Sequence, residues 1–125
     1  MKKINTSKAP APAGHYSQGI MHGNMLFVSG QLPIDPETGN HQLGAIEDQA
    51  LLAFKNMEAI VVAAGLQLTD IVKTTVYISN IELWPSVNGV YAEFFGEHKP
   101  ARAIVPSREL HHGAKVEIEA IAIKS

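Results

Sequence analysis

The 125-residue chain contains no cysteine, so disulfides, thiolate nucleophiles and cysteine-ligated zinc are excluded. Aromatic residues make up 6% of it, with a single tryptophan, and offer no evident row of stacking platforms for single-stranded nucleic acid. Neither sign of charge dominates, because ten Lys and Arg face twelve Asp and Glu for a net charge of -2. Phosphate capture needs a basic patch, and the order of residues shows none, which argues against a nucleic-acid partner. No apolar run approaches the roughly 20 residues of a membrane span. The two lysines in MKKINTSKAPAPAG lead into no apolar segment, so a secretory signal is not read there. A soluble cytoplasmic protein is expected.

What is present suffices for a core. The hydrophobic fraction is 46%, and the length is near the commonest domain size, so residues 1–125 read as one domain. After an irregular lead-in, MLFVSG (Met25 to Gly30) reads as a buried strand, and LPIDPETGN as a surface turn. From Ala45 the period changes. Ile46, Ala50, Ala53, Met57, Ile60 and Ala64 recur three or four apart and predict a helix over 45–64, stopped at Gly65. IVKTTVYI (Ile71 to Ile78) is β-branched and predicts a strand. Asn80 fits a helix N-cap and Pro85 fits a first helical turn, so the second helix has two candidate starts. Its apolar face is Val87, Val90, Tyr91, Phe94 and Phe95, before Gly96. ARAIV and the segment Lys115 to Lys124 predict two further strands.

The order β, α, β, α, β, β, with room for one extra N-terminal strand, predicts an α+β fold with both helices on one face of a mixed sheet. In the last strand Val116, Ile118, Ala120 and Ala122 point one way, and Glu117, Glu119, Ile121 and Ile123 the other. If the helices take the first set, two isoleucines and two carboxylates remain on an uncovered face. Either that face meets water or a second copy of the chain covers it.

Three charged residues stand out in strand-like sequence. Arg102 opens an apolar run, and its guanidinium fork matches a carboxylate in two parallel hydrogen bonds. A salt bridge is the plainer role for it. Glu117 and Glu119 share a strand face about 7 Å apart, where burial raises a carboxyl pKa towards the range useful for activating water. The plainer arrangement pairs one of them with Arg102 and leaves the other in water. The six histidines, at 15, 22, 41, 98, 111 and 112, show no metal-ligand spacing and read as loop residues, so no metal is assigned. Ser29 lacks a nucleophile elbow, and GHYSQG lacks the Lys-Ser/Thr of a phosphate loop. Tyr16, inside GHYSQG, is either a packed loop aromatic or a lid.

GHYSQG, MLFVSGQLPIDPETG, IVKTTVYI, VNGVYAEFF, and KPAR followed by VEIEAIA together resemble the RidA/YjgF family of reactive-imine deaminases, from about Ala9 to Lys124. The resemblance implies a chorismate-mutase-like fold and a homotrimer whose three sheets face inward as a barrel, with sites in the clefts between subunits. It implies hydrolysis of 2-imino acids such as 2-iminobutanoate and 2-iminopropanoate to 2-oxo acids and ammonia, without a cofactor. Carried over by motif, Arg102 clamps the substrate carboxylate and Glu117 positions the attacking water. Ile104 offers backbone groups, while Tyr16, Ser29, Gly30 and Asn88 line the pocket. Glu119 takes a supporting role. The chain departs from the family pattern at His15 (usually proline), at Ala103-Ile104 (usually Ser-Cys or Ser-Thr) and in PSRELHHG. Two other functions compete. One is a non-catalytic, regulatory module that holds small 2-oxo acids in the same clefts. The other is the ribonuclease role attached to some relatives, which the absent basic stripe disfavours.

Overall fold

In the computed structural model, which describes residues 1–125, a six-stranded mixed sheet carries two helices on one face. The strands are β1 (Lys2–Ile4), β2 (Gly19–His22), β3 (Met25–Gln31), β4 (Ile71–Ile78), β5 (Ala101–Pro106) and β6 (Val116–Ile123). The helices are α1 (Ile46–Ala63) and α2 (Trp84–Phe95). Across the sheet the order is β1-β2-β3-β6-β4-β5, so the last strand inserts antiparallel between β3 and β4. The β4–β5 pair is parallel, which requires a crossover, and α2 supplies it. The N-terminal region is more regular than its sequence suggests. It holds two strands where room for one was expected, and β2, with only four residues beside a tight turn at Gly23, is too short for a periodic signal.

The predicted stripe on α1 is buried at Ala50, Ala53, Met57 and Ile60, joined by Phe54 and Val61. The helix ends as expected, with Gly65 at φ +83°. Both candidate starts for the second helix are used. Asn80 Oδ1 accepts the Glu82 N–H at 2.8 Å to cap a short 3-10 turn, and Pro85 sits in the first turn of α2. On β6, Val116, Ile118, Ala120 and Ala122 are buried under the helices, and Glu117, Glu119, Ile121 and Ile123 lie half-buried on the other face. Phe27, in register with Ile121, is 43% exposed on that face, so a broad part of it is apolar and uncovered in one chain.

Candidate active site

Arg102 lies on β5, the edge strand, in register with Thr74 of β4. Thr74 is fully buried, and its hydroxyl shares a 2.7 Å hydrogen bond with Tyr91 of α2, so this register level faces the helix layer. Arg102 follows it there. Its Nη1 donates to Asn88 Oδ1 at 2.8 Å, and its guanidinium carbon lies 4.7 Å from the Tyr91 ring centre and 5.8 Å from that of Trp84. The partner of Arg102 is thus an amide and two aromatic faces rather than one of the β6 carboxylates, which corrects the plainer expectation of a salt bridge. Held on its flat side and at one nitrogen, the guanidinium keeps donors for a ligand carboxylate. Burial raises the Tyr91 hydroxyl pKa, while the Thr74 hydrogen bond and the Arg102 charge pull it back. A cavity of ≈ 400 Å³ opens at this point, lined by Asn88, Tyr91, Phe95, Lys99, Pro100 and Arg102 among others.

Glu117 occupies the opposite face. It is in register with Tyr77, whose hydroxyl donates to Glu119 Oε1 at 2.7 Å. That bond is the largest cause of a raised Tyr77 pKa and ties Glu119 down, consistent with a supporting role for it. Glu117 is perturbed differently. Burial raises its pKa, the charge of nearby His111 opposes the rise, and Glu119 reinforces it. A carboxyl whose pKa is raised by burial is a stronger proton acceptor than an ordinary glutamate.

Gly30 makes room for this carboxyl. A Cβ there would lie 2.5 Å from Glu117 Oε2, closer than real Cβ atoms approach, and a tight 3.0 Å from its Cδ. The backbone brings Gly30 in through a bulge. Between the pairs Val28–Ala120 and Gln31–Ile118, β3 spends one residue more than β6, and Ser29-Gly30 occupies the irregular step. The Ser29 hydroxyl donates to the Ser17 carbonyl, and the Ser29 N–H donates to the Gln18 carbonyl at 2.9 Å. Gln18 is buried, accepting from Thr6 N at 2.7 Å and donating to Pro10 O at 2.9 Å. This network anchors the segment bearing Tyr16, whose own ring is 51% exposed and folded back over Gly14.

The seven expected site residues therefore fall into groups. Arg102 and Asn88 join directly on the helix side, and the Ile104 side chain, in register with Val76, packs partly against the core on that same side. Glu117 and Gly30 join on the open face, with Ser29 beside Gly30 and Tyr16 on the loop anchored to Ser29. One chain does not bring Arg102 and Glu117 together. Two strand spacings, roughly 10 Å, separate β5 from β6, and the two side chains leave opposite faces of the sheet. Tyr91 was expected only as a core aromatic, and the support it gives Arg102 has no signal in the sequence. Trp84 likewise carries no spacing signal, since its contact depends on where α2 crosses β5.

The sequence model of the family described as Endoribonuclease L-PSP matches residues 6–124. A RutC family protein of Pyrococcus horikoshii is 49% identical over 121 residues, 97% of this chain and 96% of that protein. A protein of Escherichia coli named 2-iminobutanoate/2-iminopropanoate deaminase is 44% identical over 126 residues, covering 98% of each. The crystal structure of Escherichia coli TdcF with bound serine matches at a TM-score of 0.96 and 44% identity, covering 100% of both chains. Fold and matches define a class of small α+β chains in which two helices cover one face of a mixed six-stranded sheet. The chain belongs to the YjgF/RidA family.

Proposed function

We propose that this protein is a 2-iminobutanoate/2-iminopropanoate deaminase that works in the cytoplasm as a homotrimer. The open faces of three sheets turn inward, and each site forms where β5 of one copy meets the Glu117 face of the next. The observation that carries this reading is the division of the site. A guanidinium with donors to spare and a carboxyl of raised pKa stand on opposite faces of one sheet, so each needs a second copy to supply the other. The exposed apolar strip with Phe27 and Ile121 gives that copy a surface to bury.

The chemistry needs no cofactor. An imine conjugated to a carboxylate is already electrophilic at C2, so orientation and a placed water supply most of what catalysis requires. Arg102, stiffened by Asn88 and Tyr91, takes the substrate carboxylate. Glu117 accepts a proton as water oxygen bonds to C2, and the imine nitrogen takes a proton from solvent to become an amine. The carbinolamine then collapses, the C–N bond breaks, and ammonia leaves as C2 becomes a carbonyl. Glu117, still carrying its proton, returns it to the departing nitrogen while the hydroxyl proton is lost to solvent.

The relatives support this reading by name, and serine in TdcF shows a small amino acid held by a 44%-identical chain. That same complex favours the second reading, a module that binds small carboxylates without turning them over. The ribonuclease named by the family description finds less support, because the open face presents Glu117 and Glu119 and the net charge is -2. The test is a coupled assay in which threonine dehydratase generates the imine. Faster 2-oxobutanoate release, lost in Arg102→Ala and in Glu117→Gln, supports the enzyme. Calorimetric binding of 2-oxobutanoate with no acceleration supports the binding module.

A further inference from the structure

We propose that the ring contact between His41 and His112 is a clasp that positions Glu117, which makes both histidines positioning residues of the reaction. The inference rests on the reading of Glu117 as the group that activates water.

The segment between β3 and α1 starts one residue after the Gly30-Gln31 step and is fastened along its length. Asn56, buried on α1, donates from Nδ2 to the carbonyls of Leu32 at 3.1 Å and Ile34 at 2.8 Å. Ile34 and His41 then form an isolated antiparallel bridge. Gln49, fully buried, donates to Gly44 O at 3.0 Å and accepts from Lys115 N at 3.0 Å. The segment thus begins beside the glycine that walls Glu117 and is tied at its far end to a residue two positions before Glu117.

His41 and His112 close the middle of this circuit. Their ring centres are 4.3 Å apart with planes tilted by 42°. His112 has φ +59° and is the one non-glycine residue in the left-handed region, which histidine and asparagine enter more readily than most side chains. His41 Nδ1 is buried without a hydrogen-bond partner, so the contact is made through ring faces and not through a polar bond. His111, next in the chain to His112 and 6.2 Å from it ring to ring, is the basic side chain that acts on Glu117. Loss of the His41 contact frees the His111–Gly113 turn and, with it, the His111 side chain, while Lys115 stays tied to Gln49.

The experiment compares wild type with His112→Asn, His41→Ala, His41→Phe and Glu117→Gln in the coupled imine assay, each checked for fold by circular dichroism. Asparagine tolerates the left-handed backbone, so His112→Asn removes the ring while keeping the turn. The expected result is a fall in kcat of about ten- to a hundredfold in His112→Asn and His41→Ala, with KM unchanged because Arg102 is untouched. His41→Phe keeps an aromatic ring in place of the imidazole while discarding both ring nitrogens, the unpartnered Nδ1 among them, so it retains wild-type kcat. Wild-type kcat in both His112→Asn and His41→Ala, where Glu117→Gln is inactive, overturns the clasp. So does equal loss in His41→Phe and His41→Ala. An active Glu117→Gln instead removes the premise and takes the functional reading down with it.

Discussion

The two faces of the sheet treat their charged residues in opposite ways. On the helix side Arg102 is supported by an amide at one nitrogen and by aromatic rings beside its plane, with its other donors left over. On the open side Glu117 is given space and little else: a glycine steps back from it, and burial lifts its pKa. A binding cation gains from rigidity, because its task is to hold a carboxylate in one orientation. A proton-transfer group gains from a changed pKa and from room for water. Each face supplies one of these conditions and lacks the other.

That contrast is most directly broken by mixing. If Arg102 and Glu117 of one site come from different copies, Arg102→Ala and Glu117→Gln should each lose about a hundredfold or more of activity alone. Co-expressed at equal amounts, they should regain about a quarter of wild-type sites, because some interfaces pair an intact arginine with an intact glutamate. No recovery in mixed trimers confirmed by mass spectrometry would place both residues in one chain's site. Next in size is Gly30→Ala, expected to lower kcat about a hundredfold by displacing the Glu117 carboxyl while leaving 2-oxobutanoate binding to Arg102 largely intact.

Asn88→Ala tests the other face, and KM should rise about tenfold with kcat nearly unchanged, since only the support of the carboxylate clamp is lost. The smallest effect concerns stability. The raised Glu117 pKa means that the folded chain holds this proton more tightly than the unfolded one does. Stability therefore falls as pH rises from the ordinary glutamate range through the folded pKa. Glu117→Gln should melt roughly 2–4 °C higher than wild type at neutral pH, and the difference should vanish in acid where Glu117 is protonated. A lower melting temperature at neutral pH would show that the carboxylate is stabilised rather than strained.

Much of this was legible in the chain. The 3.6-residue stripe from Ile46 to Ala64 gave α1, because one face of that helix does nothing but pack. The alternation in VEIEAIAI separated the buried face of β6 from the open one for the same reason. The motif resemblance singles out Arg102, Asn88, Gly30 and Glu117, and the fold brings the first two together on one face of the sheet and the last two on the other. Sequence could not show that Arg102 and Glu117 leave opposite faces, because that depends on the register of β5 and β6 against β4. It also could not find the bulge at Ser29-Gly30, which leaves no mark on hydrophobic period, or the His41–His112 contact, which joins residues 71 positions apart. The histidines read as loop residues because histidine spacing speaks only to metals, and this pair meets ring to ring.

The parallel pairing of β5 has a consequence for how such a protein can diversify. The chain reaches β5 only after α2, and the return from that helix, Gly96 to Pro100, forms part of the wall around Arg102. Lengthening or shortening this return would reshape the space beside the guanidinium at the cost of the His98 bond to the Ile71 carbonyl of β4, and without disturbing any residue next to Glu117. On the proposed function, selection or an engineer can therefore alter which acids are admitted while Glu117 is inherited unchanged.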